Sequence, residues 1–322
     1  MTRGLVIGKF YPPHKGHSRL IQTALNTCDN VVVLVCDAPW QTISGKLRAE
    51  WLQLLFPQAQ VMVIPDIGKD DDSVAWGAYT KEFLGYTPDF VFTGSESYGD
   101  PYAKELNATH IAIPRAFSAT QVRQNPLTYL DELEVPVRSF FVPRICILGA
   151  ESTGTTTLSR DLATYYKTHW VPEYGRFYSE ARMHSTSDWT SREFLYIAQM
   201  QYNTENYLAG NANRVLICDT NPFATTVWHE RYMGSQDQTL EDFARTCHYD
   251  IHIVTDVHGV AFEQDGTRDG EHIRVSMHER FIEKLTEWQL PFIVVSGNRD
   301  TRIQTSVSEI DSIISKKSSF FT

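Results

Sequence analysis

In GLVIGKFYPPHKGH, residues 4–17, small and apolar residues at 4–7 read as a buried strand. Gly8 and Gly16 bracket a proline-containing turn, and apolar residues recur at helical spacing over 18–27. Further along, apolar runs at 30–36, 59–64, 89–93 and 109–112 read as strands, and helix-period stretches such as 47–56 lie between them. Strands alternating with helices predict a parallel sheet covered on both faces.

The alternation breaks at Pro114, stays mixed through Pro143 with Pro126 and Pro136 inside, and resumes at Arg144. Strands are expected at 145–148, 169–172, 214–218, 250–255 and 292–295, and residues 316–322 read as a frayed end. The fold class is therefore α/β with two doubly wound parallel-sheet domains, 1–125 and 144–322, joined by a segment at 126–143. A length of 322 residues suits two domains, and 42% hydrophobic residues supply two cores.

The formal net charge of -10 comes without any Lys/Arg block, which argues against a nucleic-acid partner. Cys28, Cys36, Cys146, Cys218 and Cys247 form no CxxC pair and read as buried, reduced thiols. Neither a signal-peptide pattern nor an 18-residue apolar run is visible, so the expected compartment is the cytoplasm, with no membrane contact. The oligomeric state, a homo-oligomer included, is open.

The first glycine turn has the chemistry of a phosphate site. Gly8 and Gly16 let the main chain approach an anion, and a helix opening at Gly16-His17 presents free N–H groups and positive partial charge. His14 and His17, three residues apart, can donate to phosphate oxygens from one side, which suits a transferase working by charge stabilisation. The plain alternative makes them surface histidines beside a turn. A second piece is Ser118-Ala119-Thr120-Gln121-Val122-Arg123, where a helix start offers hydroxyl, N–H and guanidinium donors; an ordinary helix cap is its alternative.

Together these pieces resemble the HxGH nucleotidylyltransferases, and among them the nicotinamide mononucleotide (NMN) adenylyltransferases. The resemblance implies a Rossmann-like domain in which His14, His17 and Arg123 handle the triphosphate, supported by Gly8, Lys9, Phe10, Lys15, Gly16, Ser118 and Thr120. It implies in-line attack of a nucleotide phosphate on the α-phosphorus of ATP, with Mg²⁺ bridging phosphates. For the acceptor nucleotide, Trp76 is a candidate platform, or else a packing tryptophan; Asp37 and Trp40 are candidates for lining the same cleft, and Arg115 for holding its phosphate. Thr93-Gly94-Ser95-Glu96 stands where such a domain holds adenosine.

The second series opens with Gly149-Ala150-Glu151-Ser152-Thr153-Gly154-Thr155-Thr156 between a strand and a helix, the layout of a P-loop. Its main-chain N–H groups can cradle phosphates, and Thr156 is placed for Mg²⁺. Thr155 stands where the motif has lysine. Either the loop is inactive or other cations replace that charge, and Arg268, in Asp265-Gly266-Thr267-Arg268-Asp269, and Arg274 are candidates on a lid. Glu173 and Asp219 each end a strand beside the P-loop strand; which is the base and which serves the metal stays open.

The order of these motifs resembles the NadR-type bifunctional proteins, which join NMN adenylyltransferase to ribosylnicotinamide kinase. The resemblance implies that the P-loop domain phosphorylates nicotinamide riboside, with Tyr174 and Arg176 facing the riboside, and that the first domain converts the product to NAD. ATP, NMN, nicotinamide riboside and NAD would be the small-molecule partners, with Mg²⁺ as cofactor. Some members carry a helix-turn-helix before the transferase; the first strand here starts by Leu5, so DNA binding is not expected. Three other readings stay open: a non-catalytic nucleotide sensor in the second half because of Thr155, a pantetheine-type or cytidylyl transferase in the first, and a transcriptional regulator.

Overall fold

The computed structural model describes residues 1–69, 72–114, 118–182, 188–264 and 270–318. It divides into two units, with the change falling between Val137 and Arg138. Each unit contains one five-stranded parallel sheet.

In the first unit β1 (Arg3–Gly8), β2 (Asn30–Asp37), β3 (Gln60–Pro65), β4 (Phe90–Thr93) and β5 (Thr109–Ala112) stand in the order β3-β2-β1-β4-β5. Its helices are α1 (Lys15–Thr27), α2 (Gly45–Leu55), α3 (Ser73–Leu84), α4 (Glu96–Glu105) and the short α5 (Ala119–Gln124); α6 (Val135–Phe141) contains the division between the units. Side chains alternate across the strands, so the sheet has two apolar faces. Val6, Val31, Val33, Val35 and Phe92 pack with Leu20, Ile21 and Ala24 of α1 and Leu52 of α2. Leu5, Ile7, Val32, Leu34 and Val91 pack with Trp76 of α3 and Tyr102 and Ala103 of α4. Burial on both faces is why these strands appear in the sequence as unbroken apolar runs.

The second unit repeats the plan. β6 (Arg144–Leu148), β7 (Trp170–Val171), β8 (Leu216–Asp219), β9 (Ile251–Thr255) and β10 (Phe292–Val295) stand in the order β10-β9-β6-β8-β7. The helices are α7 (Thr155–Tyr166), α8 (Tyr174–Arg182), α9 (Ser191–Ala209), α10 (Pro222–Met233), α11 (Gln238–Thr246), α12 (Arg274–Glu287) and α13 (Arg299–Ser318). In both sheets the first strand is central, with later strands added on either side. The carboxyl end of that strand is a topological switch point, where an open α/β sheet leaves a crevice for ligand.

Among the described residues no helix is long and apolar enough to cross a membrane. Cys28, Cys36, Cys146 and Cys218 are buried, Cys247 is partly so, and all five are free thiols.

Candidate active sites

In the first unit the turn after β1 leads into α1, whose N-cap is His14. The His14 Nδ1 accepts from the Gly16 N–H at 3.1 Å, and the His17 Nδ1 accepts from the His14 N–H at 3.3 Å. A main-chain N–H only donates, so both Nδ1 atoms are unprotonated and each neutral ring carries its proton on Nε2. The rings stack at 3.7 Å between centroids, and the edge of Phe10 meets His17 at 4.9 Å. Both histidines are buried, at 1% and 7% exposure, which disposes of the surface alternative.

Two guanidinium groups hold this turn by its carbonyls. Arg123 Nη1 donates to Tyr11 O at 2.6 Å, while its Nη2 donates to Thr120 Oγ1 at 2.9 Å. Arg48, which the sequence did not single out, is fully buried; it donates to the carbonyls of Lys9, Cys36 and Ile43 and to the Asp37 carboxylate at 2.7 Å. Asp37 also accepts from the Gly45 N–H at 2.7 Å, so its carboxylate is already committed to tying β2 to α2. Lys9 lies 3.8 Å from Asp66 and over the ring of the exposed Trp40 at 5.4 Å. Lys15 is exposed in the first turn of α1, while Ser118 caps α5 reciprocally with Gln121.

The acceptor candidates are dispersed. Trp76 is 4% exposed, packs in the core, and donates its indole N–H to Lys69 O at 3.0 Å, which is the packing role named as its alternative. Arg115 lies outside the described residues. In the adenosine segment the Thr93 hydroxyl donates to Ser95 O and meets His110 Nε2, both at 2.8 Å, while His110 Nδ1 pairs with Asp100 at 2.6 Å.

The second unit has a cavity of about 790 Å³ whose lining includes the whole 149–156 loop. The loop turns through left-handed backbone at Ser152 (φ 57°) and Gly154 (φ 87°). A Cβ at Gly149 would stand 2.2 Å from Thr255 Oγ1, so only glycine fits against β9 there. Thr156 Oγ1 donates to Asp219 Oδ2 at 2.6 Å, and the neighbouring Thr155 side chain also favours the charged form of that carboxylate. Burial raises the Asp219 carboxyl to about 6 despite these donors and the nearby Arg176 and Arg160. Glu173, with its carboxyl deep in the same cavity, is raised to about 7 by burial and then by the charge of Asp219, with Arg176 opposing.

The cavity thus gathers most of the residues read from the sequence, but two stand elsewhere. Tyr174 faces Tyr196, hydroxyl to hydroxyl at 3.5 Å. Arg274, expected as a lid cation facing phosphate, is buried and donates to the carbonyls of Glu151, Ser152 and Val260 at 2.9–3.0 Å. Arg268 and the rest of 265–269 lie outside the described residues. Sequence reading missed Trp189, Phe194, Trp228 and Tyr232, aromatic rings in the cavity lining contributed mainly by α9 and α10. It also missed Arg302 of α13, which lines the cavity and reaches the P-loop. In sequence these residues look like the apolar stripes and charged faces of ordinary amphipathic helices.

Comparison with known proteins finds a match in each unit. Residues 5–125 match a cytidylyltransferase-like family model, and residues 144–302 match an AAA domain model. The trifunctional NAD biosynthesis/regulator protein NadR of Escherichia coli K12 is 25% identical over 327 residues, covering 91% of this chain and 78% of that protein. The chain is a homologue of NadR. The Salmonella typhimurium LT2 NadR is also 25% identical, with the same coverage. Two NadR crystal structures, one in complex with NR and one with NAD and AMP-PNP, superpose with TM-scores of 0.76 and 0.73 at 20% and 18% identity. Each covers 100% of this chain, and this chain covers 97% of each. The NadR relationship thus extends across both units, and the two-sheet fold is shared over the full length.

Proposed function

We propose that the chain is a bifunctional NAD salvage enzyme. Its second unit phosphorylates nicotinamide riboside with ATP to give NMN, and its first unit adenylylates NMN with a second ATP to give NAD and pyrophosphate. The observation that carries this is the cavity of the second unit, where a phosphate-binding loop, the carboxylates of Asp219 and Glu173 and an aromatic wall converge in a chain homologous to NadR. We assign the transferase to residues 1–125 and the kinase to 144–322.

In the kinase, Thr156 and Asp219 offer Mg²⁺ the hard oxygen donors it takes alongside substrate phosphates, and the 2.6 Å hydrogen bond between them supports this reading. Bound there, the ion would neutralise charge on the transferred phosphoryl group. Glu173 is then the base: its carboxyl is separate from the Thr156–Asp219 pair and has a pKa near neutrality, suited to accepting the proton of the 5′-hydroxyl as oxygen attacks the γ-phosphorus. Arg176 steadies the carboxylates and the incoming riboside. The pyridinium of nicotinamide riboside is cationic, and the faces of Trp189, Phe194, Trp228 and Tyr232 suit it.

In the transferase, His14 and His17 present Nε2–H donors to the triphosphate, with Lys9, Lys15 and Arg123 adding positive charge and Gly8, Phe10, Gly16, Ser118 and Thr120 shaping the turn and helix starts. Catalysis is positioning and charge stabilisation without a covalent intermediate. Arg115 and Arg268 keep the roles suggested by sequence, acceptor phosphate and lid cation. We place the enzyme in the cytoplasm, consistent with its free thiols.

The test is incubation with nicotinamide riboside, ATP and Mg²⁺, with products followed by mass spectrometry. NMN should appear first and NAD after it. If added NMN is converted to NAD but the riboside is never phosphorylated under any divalent metal, the second unit is a nucleotide sensor, the reading that Thr155 favours.

A further inference from the structure

The P-loop of the second unit lacks its lysine, yet four successive carbonyls of the loop are held by side chains. Ala150 O accepts from Thr153 Oγ1 at 2.7 Å, Glu151 O from Arg274 Nε at 3.0 Å, Ser152 O from Arg274 Nη2 at 3.0 Å, and Thr153 O from Arg302 Nη1 at 2.7 Å. The two arginines come from the start of α12 and from α13, and they are 5% and 6% exposed. Their other bonds also go to main-chain carbonyls: Arg274 to Val260, and Arg302 to Gly297 and Asp256.

Two consequences follow from peptide geometry and charge. A peptide N–H points opposite to its C=O, so carbonyls fastened at 151–153 fix the direction of the N–H groups of the next residues. Among the described residues neither guanidinium is ion-paired, so two buried positive charges stand behind the loop and bond only neutral acceptors. Burial disfavours the charged form of Arg302; the charge of Asp256 opposes this, and that of Arg274 adds a smaller repulsion. Buried charge without a direct counter-ion is costly unless an anion arrives to interact with it.

We infer that Arg274 and Arg302 replace the missing lysine from behind the loop, as positioning residues that aim its N–H groups at the nucleotide phosphates and supply positive potential through the peptide planes. The inference rests on the proposed kinase reading for the reaction, but its quantity is the affinity of this loop for ATP. It differs from the lid-cation expectation because both guanidinium groups bond the carbonyls of the loop itself.

The test is a double-mutant cycle in the intact chain between Arg302→Met and Thr155→Lys, reading the kinase KM for ATP. The transferase KM for ATP in the same samples is the internal control. Arg302→Met should raise the kinase KM roughly 10- to 100-fold, the size of one or two charge-assisted hydrogen bonds, with the transferase value unmoved. Thr155→Lys placed in that background should recover about tenfold or more, and distinctly more than it gains in the wild-type background. A merely structural arginine would not be rescued by a lysine at 155. Equal effects of Thr155→Lys in both backgrounds, or no change in KM on Arg302→Met, would overturn the inference. If Arg302→Met does not fold by circular dichroism, the same cycle is run with Arg302→Lys, which keeps the charge but not the fork of donors. If the wild type makes no NMN, the kinase reading fails separately; calorimetric titration with ATP then reads the cycle, with one of two binding sites expected to weaken.

Discussion

The Thr156 hydroxyl and the Asp219 carboxylate meet at 2.6 Å, joining the first turn of α7 to the last residue of β8. This contact brings together the P-loop hydroxyl and the acidic strand end proposed above to hold Mg²⁺. Asp219→Asn should lower the kinase kcat on the order of 10²- to 10³-fold, as removal of one preorganised charge-stabilising group does. It should also move the Mg²⁺ dependence to higher concentration and leave NMN adenylylation unchanged. A variant with a wild-type Mg²⁺ titration would remove Asp219 from the metal site.

Glu173 makes a pH prediction. A base must be ionised to work, and burial together with Asp219 raises this carboxyl to about 7. The kcat/KM for riboside should therefore rise with pH up to and through neutrality, where an ordinary glutamate would have levelled off well below. Glu173→Gln should abolish that limb and most of the rate. An unchanged limb in Glu173→Gln would assign the titration to another group.

Both sheets were legible because central parallel strands are buried on two faces and so appear as continuous apolar runs; β7, with only Trp170 and Val171, is shorter than the run at 169–172 suggested. The two glycine turns were legible because each is contiguous in sequence. What supports them was not. Arg302 lies 149 residues from the Thr153 carbonyl it holds, and Arg48 lies 39 from that of Lys9. Neither spacing leaves a local signal, and an arginine on a helix ordinarily reads as a solvated face. Trp76 shows the converse: position suggested a ligand platform, but the register of α3 points the indole into the core.

Arg48 itself is testable. Arg48→Met leaves the carbonyls of Lys9, Cys36 and Ile43 without this donor and Asp37 without its cation. The loss should be about 2–4 kcal/mol in the first unit, since buried acceptors are left unsatisfied. Arg48→Lys should recover only part, because one ammonium cannot span the same acceptors. Differential scanning calorimetry should show the transition of the first unit falling while that of the second stays. NMN adenylylation should fall too, because the Lys9 carbonyl belongs to the histidine-bearing turn. Unchanged melting would mean that these contacts contribute nothing net.

His252 should make the second unit sensitive to acid. It is 1% exposed on β9, with Nδ1 against Pro291 O at 3.1 Å and Nε2 against the Asn221 side-chain amide at 3.1 Å. That pairing suits a neutral ring donating at one nitrogen and accepting at the other. Burial lowers its pKa from 6.5 to about 4. A folded pKa below the unfolded one means that the unfolded chain binds the extra proton in the interval between them. The contribution of this group is therefore fully present above pH 6.5 and is lost progressively as pH falls towards about 4. The full loss is about 3 kcal/mol at the usual conversion from pKa difference to free energy. His252→Gln, which keeps a donor and an acceptor but does not titrate, should flatten this part of the curve. Urea unfolding of the second unit at pH 7 and pH 5 reads the difference: the wild type should lose more stability than His252→Gln between the two, and equal losses would show that the acid sensitivity lies elsewhere.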